Sequence, residues 1–325
     1  MTSTAGVHPA RPAPVLWVAL AVGTALVASV LAAATATSAL VGTATIRSGM
    51  TAAGVACVGL TLVGVLLPLG PIRTRGEARE VVRVQAVADR VLVVVAGSWL
   101  VLVLLAVMFG SAGAVGRPVD EVGAGEMLRW ATLLSAGRGT VLTAGCAAVV
   151  LGCAILRLRD PDRVQVRIPL IASVLGILTP AVTGHTGSDP DHQLAVLAVA
   201  IHAGAAALWV GGLGALLVLL ARSRALLDAA LPRFSRLAVV CMVAVGLTGV
   251  LSATLRVGSW NALVTTGYGW LVVAKFALLL LLAGLGGLTR RRLQTRRTPV
   301  LRWAGVEVAL MAAALGLAAA LTQTA

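Results

Sequence analysis

The alternation of long apolar runs with short arginine-rich segments constrains the fold of this chain more than any other feature of its sequence. A helix that crosses a bilayer needs about 20 apolar residues. Nine runs meet or approach that length, at residues 15–40, 50–70, 91–110, 137–156, 167–183, 193–220, 237–256, 270–288 and 301–322. We therefore predict an all-α, polytopic transmembrane helix bundle of about nine spans, with membrane lipid around it.

The arginines predict the orientation of these spans, because loops on the cytoplasmic side of a membrane are enriched in Lys and Arg. The N-terminal segment and every second loop after it carry 20 arginines, whereas the opposite loops carry 5. We expect the N-terminus inside and the C-terminus outside, in the cytoplasmic membrane of a bacterium. The net charge of +14 lies mostly in these short loops, so it does not indicate a nucleic-acid partner.

Three local patterns refine this prediction. Residues 32–36 resemble a signal-peptidase site, but the run before them is long and follows only Arg11, so we expect an uncleaved first span; cleavage would leave eight. Arg167-Ile168-Pro169 suits the start of the fifth and shortest span, because proline in the first turn costs no helical hydrogen bond. The outer segment 111–136 holds charged and aromatic residues, which favour a short interfacial helix.

The outer loop between spans five and six is a candidate cation site. It contains no Lys or Arg, and its imidazoles and carboxylates belong to His185, Asp189, Asp191 and His192. Such a loop is locally anionic on a basic protein and attracts cations. Asp189-Pro190 is a good helix start, which predicts that span six begins near Pro190 and that His192 lies in its first turn.

His202 lies within the apolar run of span six, where a histidine is costly and marks a functional site by default. It follows His192 by ten residues, or about 15 Å of helix, so these two cannot ligate one ion together. They are either successive stations, or the loop folds His185 back toward His202. Small residues around His202 predict that it faces other helices, and Gly211-Gly212 permits close backbone contact.

Each of these residues also has a purely structural interpretation. A lone intramembrane histidine can simply hydrogen-bond a neighbouring helix, and His185 and His192 can be ordinary loop residues. Met108 and Met127 are soft donors suited to copper(I), although methionine in helices is more often packing. Lys275 in span eight either extends its amine toward the membrane surface or acts as a fixed cation that repels metal or pairs with Glu126. The four cysteines show no metal-binding spacing.

Several motifs together resemble the bacterial copper resistance protein D (CopD) family. They are Gly184-His185, the stretch from His202 through Trp209 to Leu213, Phe234–Leu237, Thr248-Gly249, Thr266–Trp270 with Lys275, and Leu288–Arg290. The resemblance covers about residues 165–292. It predicts two units: residues 1–160 with spans one to four, and residues 161–325 as a CopD-like domain with spans five to nine.

The resemblance implies copper ion transport, homeostasis or resistance, with no enzymatic activity. Carried over by position, His185 and His202 are the expected copper residues, His192 is a further candidate, and Trp209, Tyr268 and Lys275 are site neighbours. The ion is Cu(I) or Cu(II), and the direction of transport that we favour is inward. No fused copper-carrier domain is recognisable, so a periplasmic carrier of the CopC type would be a separate protein. The oligomeric state is left open.

Two alternatives stay open beside transport. A membrane copper-delivery factor for a respiratory oxidase would use the same histidines without net transport. A haem electron-transfer protein needs paired histidines at one depth, and only His202 is expected within the membrane. No nucleophile and base are placed together in the sequence, which argues against a hydrolytic enzyme.

Overall fold

The computed structural model describes residues 38–67, 75–183, 190–220 and 223–256, and five single positions in the span-eight region, Val273, Phe276, Ala277, Leu280 and Gly284. This part of the chain contains seven α-helices and no strand, which confirms the all-α class. The helices are α1 (Ser38–Leu66), α2 (Arg75–Val115), α3 (Ala124–Leu133), α4 (Ser135–Arg159), α5 (Arg167–Thr183), α6 (Pro190–Leu220) and α7 (Arg224–Arg256).

Five of these helices, α1, α2, α4, α6 and α7, are long and apolar enough to cross a membrane. Helix α5 has 17 residues and is the shortest of the six that correspond to predicted spans two to seven, as expected. The count of nine spans and the orientation stay predictions. Most of span one, span nine and residues 32–36 lie outside the described residues. The five described positions in span eight are all helical.

Helices α1, α2 and α7 begin well before their apolar runs. Helix α1 begins at Ser38 rather than near 50, so it includes the predicted end of span one and Arg47 of the expected outer loop. Residues 75–90, which the sequence suggested were a polar connection, form the first turns of α2. Helix α7 begins at Arg224 rather than near 237. In α7 the extra turns bury Leu226, Ala230 and Phe234, which recur every four residues along one face. A window that measures overall hydropathy misses such amphipathic ends, because their other faces are polar.

Helix α1 packs against α2, α5 and α6 and so joins the two predicted units. One core on its side toward α2 and α5 is centred on Trp99, whose ring lies beside Gly54 of α1 and Gly176 of α5. A second core lies between α1, α6 and α7 and includes Leu62, Trp209 and Phe234. The proposed boundary between residues 160 and 161 stays a prediction.

Pro180 interrupts the hydrogen bonding of α5 near its C-terminal end, because proline has no N–H to donate to the Gly176 carbonyl. The Thr179 hydroxyl donates to that oxygen at 2.9 Å, and the Thr143 hydroxyl of α4 lies 2.6 Å from the Thr179 oxygen. Two hydroxyl oxygens this close share one hydrogen, so only one of the two hydroxyls donates to the Gly176 carbonyl. An apolar surrounding offers no water to such a carbonyl, so this hydroxyl replaces the missing bond.

Helix α3 is the short helix expected between spans three and four. The Glu126 carboxylate accepts the backbone N–H of Gly123 at 3.2 Å, which caps the helix start, and it pairs with Arg117. Trp130 is buried against Gly110 of α2, whereas Leu128 and Leu133 are exposed. The helix is confirmed, and its position at the membrane surface stays a prediction.

Candidate functional site

His202 lies in the middle of α6, which is continuous from Pro190 to Leu220. Its side chain is half-buried, and its Nδ1 atom lies 3.1 Å from the Thr248 hydroxyl oxygen of α7. The Cε1 atom of the ring would lie 3.9 Å from a Cβ atom added to Gly249. The imidazole therefore lies against the backbone of α7 at the Thr248-Gly249 pair.

The small residues around His202 bring α6 close to its neighbours. Ala198, Ala200, Ala205 and Ala207 are all buried, and a Cβ atom on Gly204 would lie 3.3 Å from Leu178 of α5. This confirms that His202 faces other helices. The hydrogen bond to Thr248 is consistent with both interpretations of His202, as a functional group and as a residue that only bonds a neighbouring helix.

The Gly211-Gly212 pair makes the close backbone contact that its sequence predicts. A Cβ atom on Gly211 would overlap the Val55 carbonyl of α1, and one on Gly59 would overlap the Gly211 carbonyl. On the next residue, a Cβ atom on Gly212 would lie 2.6 Å from the Phe234 ring of α7. Only glycine permits this approach, which holds α1 and α7 against α6 on the C-terminal side of His202.

The interface on the C-terminal side of His202 along α6 is apolar. Trp209, proposed as a site neighbour, is 7% exposed and packs in the core with Phe234 and Cys241. Further along α6, Leu213, Leu216 and Leu220 are also buried. His202 and Thr248 therefore lie at one end of a closely packed apolar interface.

The histidine loop can be placed only at its helical end. Helix α6 begins at Pro190, as predicted, and Asp191 and His192 occupy its first turn. Since α6 is continuous, His192 and His202 are separated by about 15 Å along its axis. The residues His185 and Asp189 lie outside the described residues, as do the side chains of Asp191 and His192.

The other proposed neighbours are dispersed or undescribed. Met108 lies on α2 with 37% of its surface exposed, and Met127 lies half-buried on α3, whereas His202 bonds to α7. Tyr268 and Lys275 lie outside the described residues. Among the residues that are described, no three His, Cys, Asp or Glu side chains come together as a metal site. Whether the loop supplies further ligands to His202 stays a prediction.

A buried ion pair escaped the sequence analysis. Arg157, which the charge count treated as a loop residue, lies on α4 and donates to both carboxylate oxygens of Asp89 on α2, at 3.0 and 3.2 Å. Its Nη1 atom donates to the carbonyls of Pro161 and Val164, at 3.1 and 2.8 Å. The sequence contained one sign of this pair, because Asp89 is an isolated aspartate next to an apolar run. Its partner Arg157 lies 68 positions away, so the sequence alone did not identify it.

This ion pair borders a small cavity between α1, α2, α4 and α5. The cavity has room for about one water molecule, and its polar lining includes Thr61 and Gln85. The guanidinium connects α2 to the segment between α4 and α5. The pair therefore joins α2, α4 and the connection between α4 and α5 at the end of the bundle that is predicted to face the cytoplasm.

Residues 228–321 of the chain match the family model described as Copper resistance protein D. The resemblance to the CopD family is confirmed. The matched CopD region includes Thr248 and Phe234, and also Tyr268 and Lys275, but it begins 26 residues after His202. Two motifs from the CopD region, Thr248-Gly249 and Phe234, thus contact the His202–Gly212 stretch that precedes it.

A similar protein is the copper transport protein CutJ of Bacillus subtilis, which is 31% identical over 157 residues. The aligned part is 45% of this chain and 29% of CutJ, so the chain spans less than a third of that relative's length. No solved structure matches the chain. Together with the apolar helices, the similarity to the CopD family indicates a multi-pass protein of the bacterial cytoplasmic membrane. The names of the family and of the relative describe copper resistance and transport rather than an enzyme.

Proposed function

We propose that this protein carries copper ions across the cytoplasmic membrane, inward, and that His202 is the station inside the membrane. The observation that carries the proposal is a half-buried imidazole in the apolar helix α6, held by Thr248 of the CopD region. Imidazole is a good copper ligand, and because a histidine in an apolar helix is costly in lipid, its default interpretation is a functional one. The similarity to CutJ, named as a copper transport protein, supports copper as the cargo.

In this proposal the anionic outer loop receives the ion. His185, Asp189, Asp191 and His192 attract a cation that arrives from outside, and His202 accepts it about 15 Å further inward. A separate periplasmic carrier of the CopC type delivers copper to the loop. Tyr268 and Lys275 of the CopD region border the path, and Lys275 as a fixed cation limits how tightly a copper ion is held.

The test is copper accumulation in cells that express the double variant His185→Ala, His202→Ala in place of the wild type. We expect the variant to accumulate no more copper than cells that lack the protein. His8→Ala is the matched control, because it removes a histidine that has no place in the proposed path, and it retains wild-type accumulation. If the double variant folds, reaches the membrane and still accumulates copper as the wild type does, the proposal is wrong.

A copper-delivery factor for a respiratory oxidase is the second candidate. The packed apolar interface inward of His202, with Trp209 and Leu216, favours it, because this conformation offers no open route past His202 among the described residues. A deletion strain decides between the two functions. Normal copper uptake with loss of oxidase activity supports delivery, whereas reduced uptake supports transport.

A further inference from the structure

The hydrogen bonds around the Thr248 hydroxyl determine where its single proton lies. The oxygen is 2.6 Å from the Ala244 carbonyl, 3.2 Å from the Val245 carbonyl and 3.1 Å from Nδ1 of His202. A carbonyl oxygen has no hydrogen, and a hydroxyl has one. Two oxygens at 2.6 Å need a hydrogen between them, because this separation is typical of a strong O–H···O bond. The Thr248 proton therefore points to Ala244.

The contact with His202 must then be donated by the imidazole. With its proton directed to its own helix, the Thr248 oxygen can only accept, so the hydrogen between the two side chains belongs to Nδ1 of His202. The 3.1 Å separation fits an N–H···O bond. The opposite assignment would direct two lone pairs at each other in an apolar interface, where such a contact is costly.

We propose that Thr248 is a positioning residue that holds neutral His202 in its Nδ1–H tautomer, so that Nε2 carries the lone pair that binds copper. A neutral imidazole has one N–H and one lone pair, and the hydrogen bond at one nitrogen decides which nitrogen is left to act as a ligand. Metal-binding histidines in proteins are commonly fixed in this way by a partner outside the coordination sphere. The hydrogen on Nδ1 follows from the distances at Thr248, whereas the neutral imidazole and copper binding at Nε2 rest on the proposed function.

Gly249 offers a control position at the same interface. A Cβ atom there would lie 3.9 Å from Cε1 of His202, which is ordinary van der Waals contact. The variant Gly249→Ala therefore adds a methyl group at this interface and leaves the Thr248 hydroxyl in place. It is the matched control for a change at Thr248.

The first experiment is nitrogen NMR of the full chain in lipid bilayers, with histidine labelled by nitrogen-15 and His202 assigned by comparison with His202→Gln. We expect a protonated Nδ1 and an unprotonated Nε2 for His202 in the wild type, in Thr248→Ser and in Gly249→Ala. Thr248→Val keeps the shape but removes the acceptor, so its His202 signals shift as the other tautomer gains population. An unprotonated Nδ1 in the wild type, or an unchanged spectrum in Thr248→Val, overturns the proposal.

The second experiment adds Cu(I) to the same samples. We expect the Nε2 signal of His202 to move while Nδ1 keeps its proton, and Thr248→Val to bind Cu(I) about 10- to 100-fold more weakly than wild type. Thr248→Ser restores the affinity because it restores the acceptor. Loss of the Nδ1 proton on addition of copper overturns the role of Nε2.

The two experiments separate this inference from the proposed function. The expected tautomer with no effect of copper on His202 contradicts the copper station, but it leaves the proton on Nδ1. The opposite tautomer, combined with lost copper accumulation in the histidine variant, contradicts only the role of Thr248.

Discussion

Replacing Asp89 by alanine is expected to lower the free energy of unfolding by about 3–5 kcal/mol, because it leaves the Arg157 guanidinium charged and buried without its partner. Both side chains are nearly inaccessible, with 6% of Arg157 and 10% of Asp89 exposed. The change removes two charged hydrogen bonds, of 3.0 and 3.2 Å. At about 1.5–3 kcal/mol for each such bond, the loss agrees with that range.

The remaining contacts prevent Arg157 from relieving this cost by moving into water. Its Nη1 atom stays bonded to the carbonyls of Pro161 and Val164, which hold the guanidinium beneath the segment between α4 and α5. An exposed arginine would lose only the modest energy of a surface ion pair, typically below about 1 kcal/mol. The burial of this pair therefore decides the size of the effect.

The assay is reversible unfolding of the purified protein in mixed micelles, followed by circular dichroism. Asp162→Ala is the matched control, because Asp162 is an exposed aspartate in the connection between α4 and α5, and we expect a change within about 0.5 kcal/mol. A loss of less than about 1 kcal/mol for Asp89→Ala would refute the reasoning, since the pair would then behave as a solvated one.

Two further predictions concern helix contacts. Gly211→Ala should destabilise the protein by about 1–3 kcal/mol, because its Cβ atom would overlap the Val55 carbonyl. The control Gly214→Ala adds a methyl group in open space on the same helix and should not destabilise the protein. Equal melting temperatures for the two variants would contradict the contact at Gly211. Thr143→Val should cost about 1 kcal/mol, because the Thr179 hydroxyl loses its 2.6 Å hydrogen bond to Thr143. The same unfolding assay measures it, and a neutral substitution would show that the bond between these two hydroxyls does not contribute to stability.

The sequence was sufficient to predict those features that depend on local pattern. The start of α6 at Pro190 follows from a capping residue before proline, and the start of α5 at Arg167 follows from proline in the first turn. The close backbone contact at Gly211 follows from the absence of a side chain, and the orientation of His202 toward other helices follows from its small neighbours. Each of these predictions needs only a few adjacent residues.

Features that depend on distant pairing could not be predicted in this way. Asp89 and Arg157 are 68 positions apart, and both lie outside the apolar runs that defined the predicted spans, so both were assigned to connecting segments. Thr248 lies 46 positions from His202. The resemblance pointed to both of these residues, but only the packing of α6 against α7 shows that they touch. The placement of His185 relative to His202 stays a prediction for the same reason.

Uptake of radiolabelled copper into proteoliposomes tests the central claim most directly, because it measures transport by the purified chain without other proteins. The comparison is between wild type, His202→Ala and the control His8→Ala, at equal amounts of folded protein in the bilayer. We predict uptake by wild type and by His8→Ala, and none above empty liposomes for His202→Ala. Uptake by His202→Ala at the wild-type rate would contradict an intramembrane copper station at this residue.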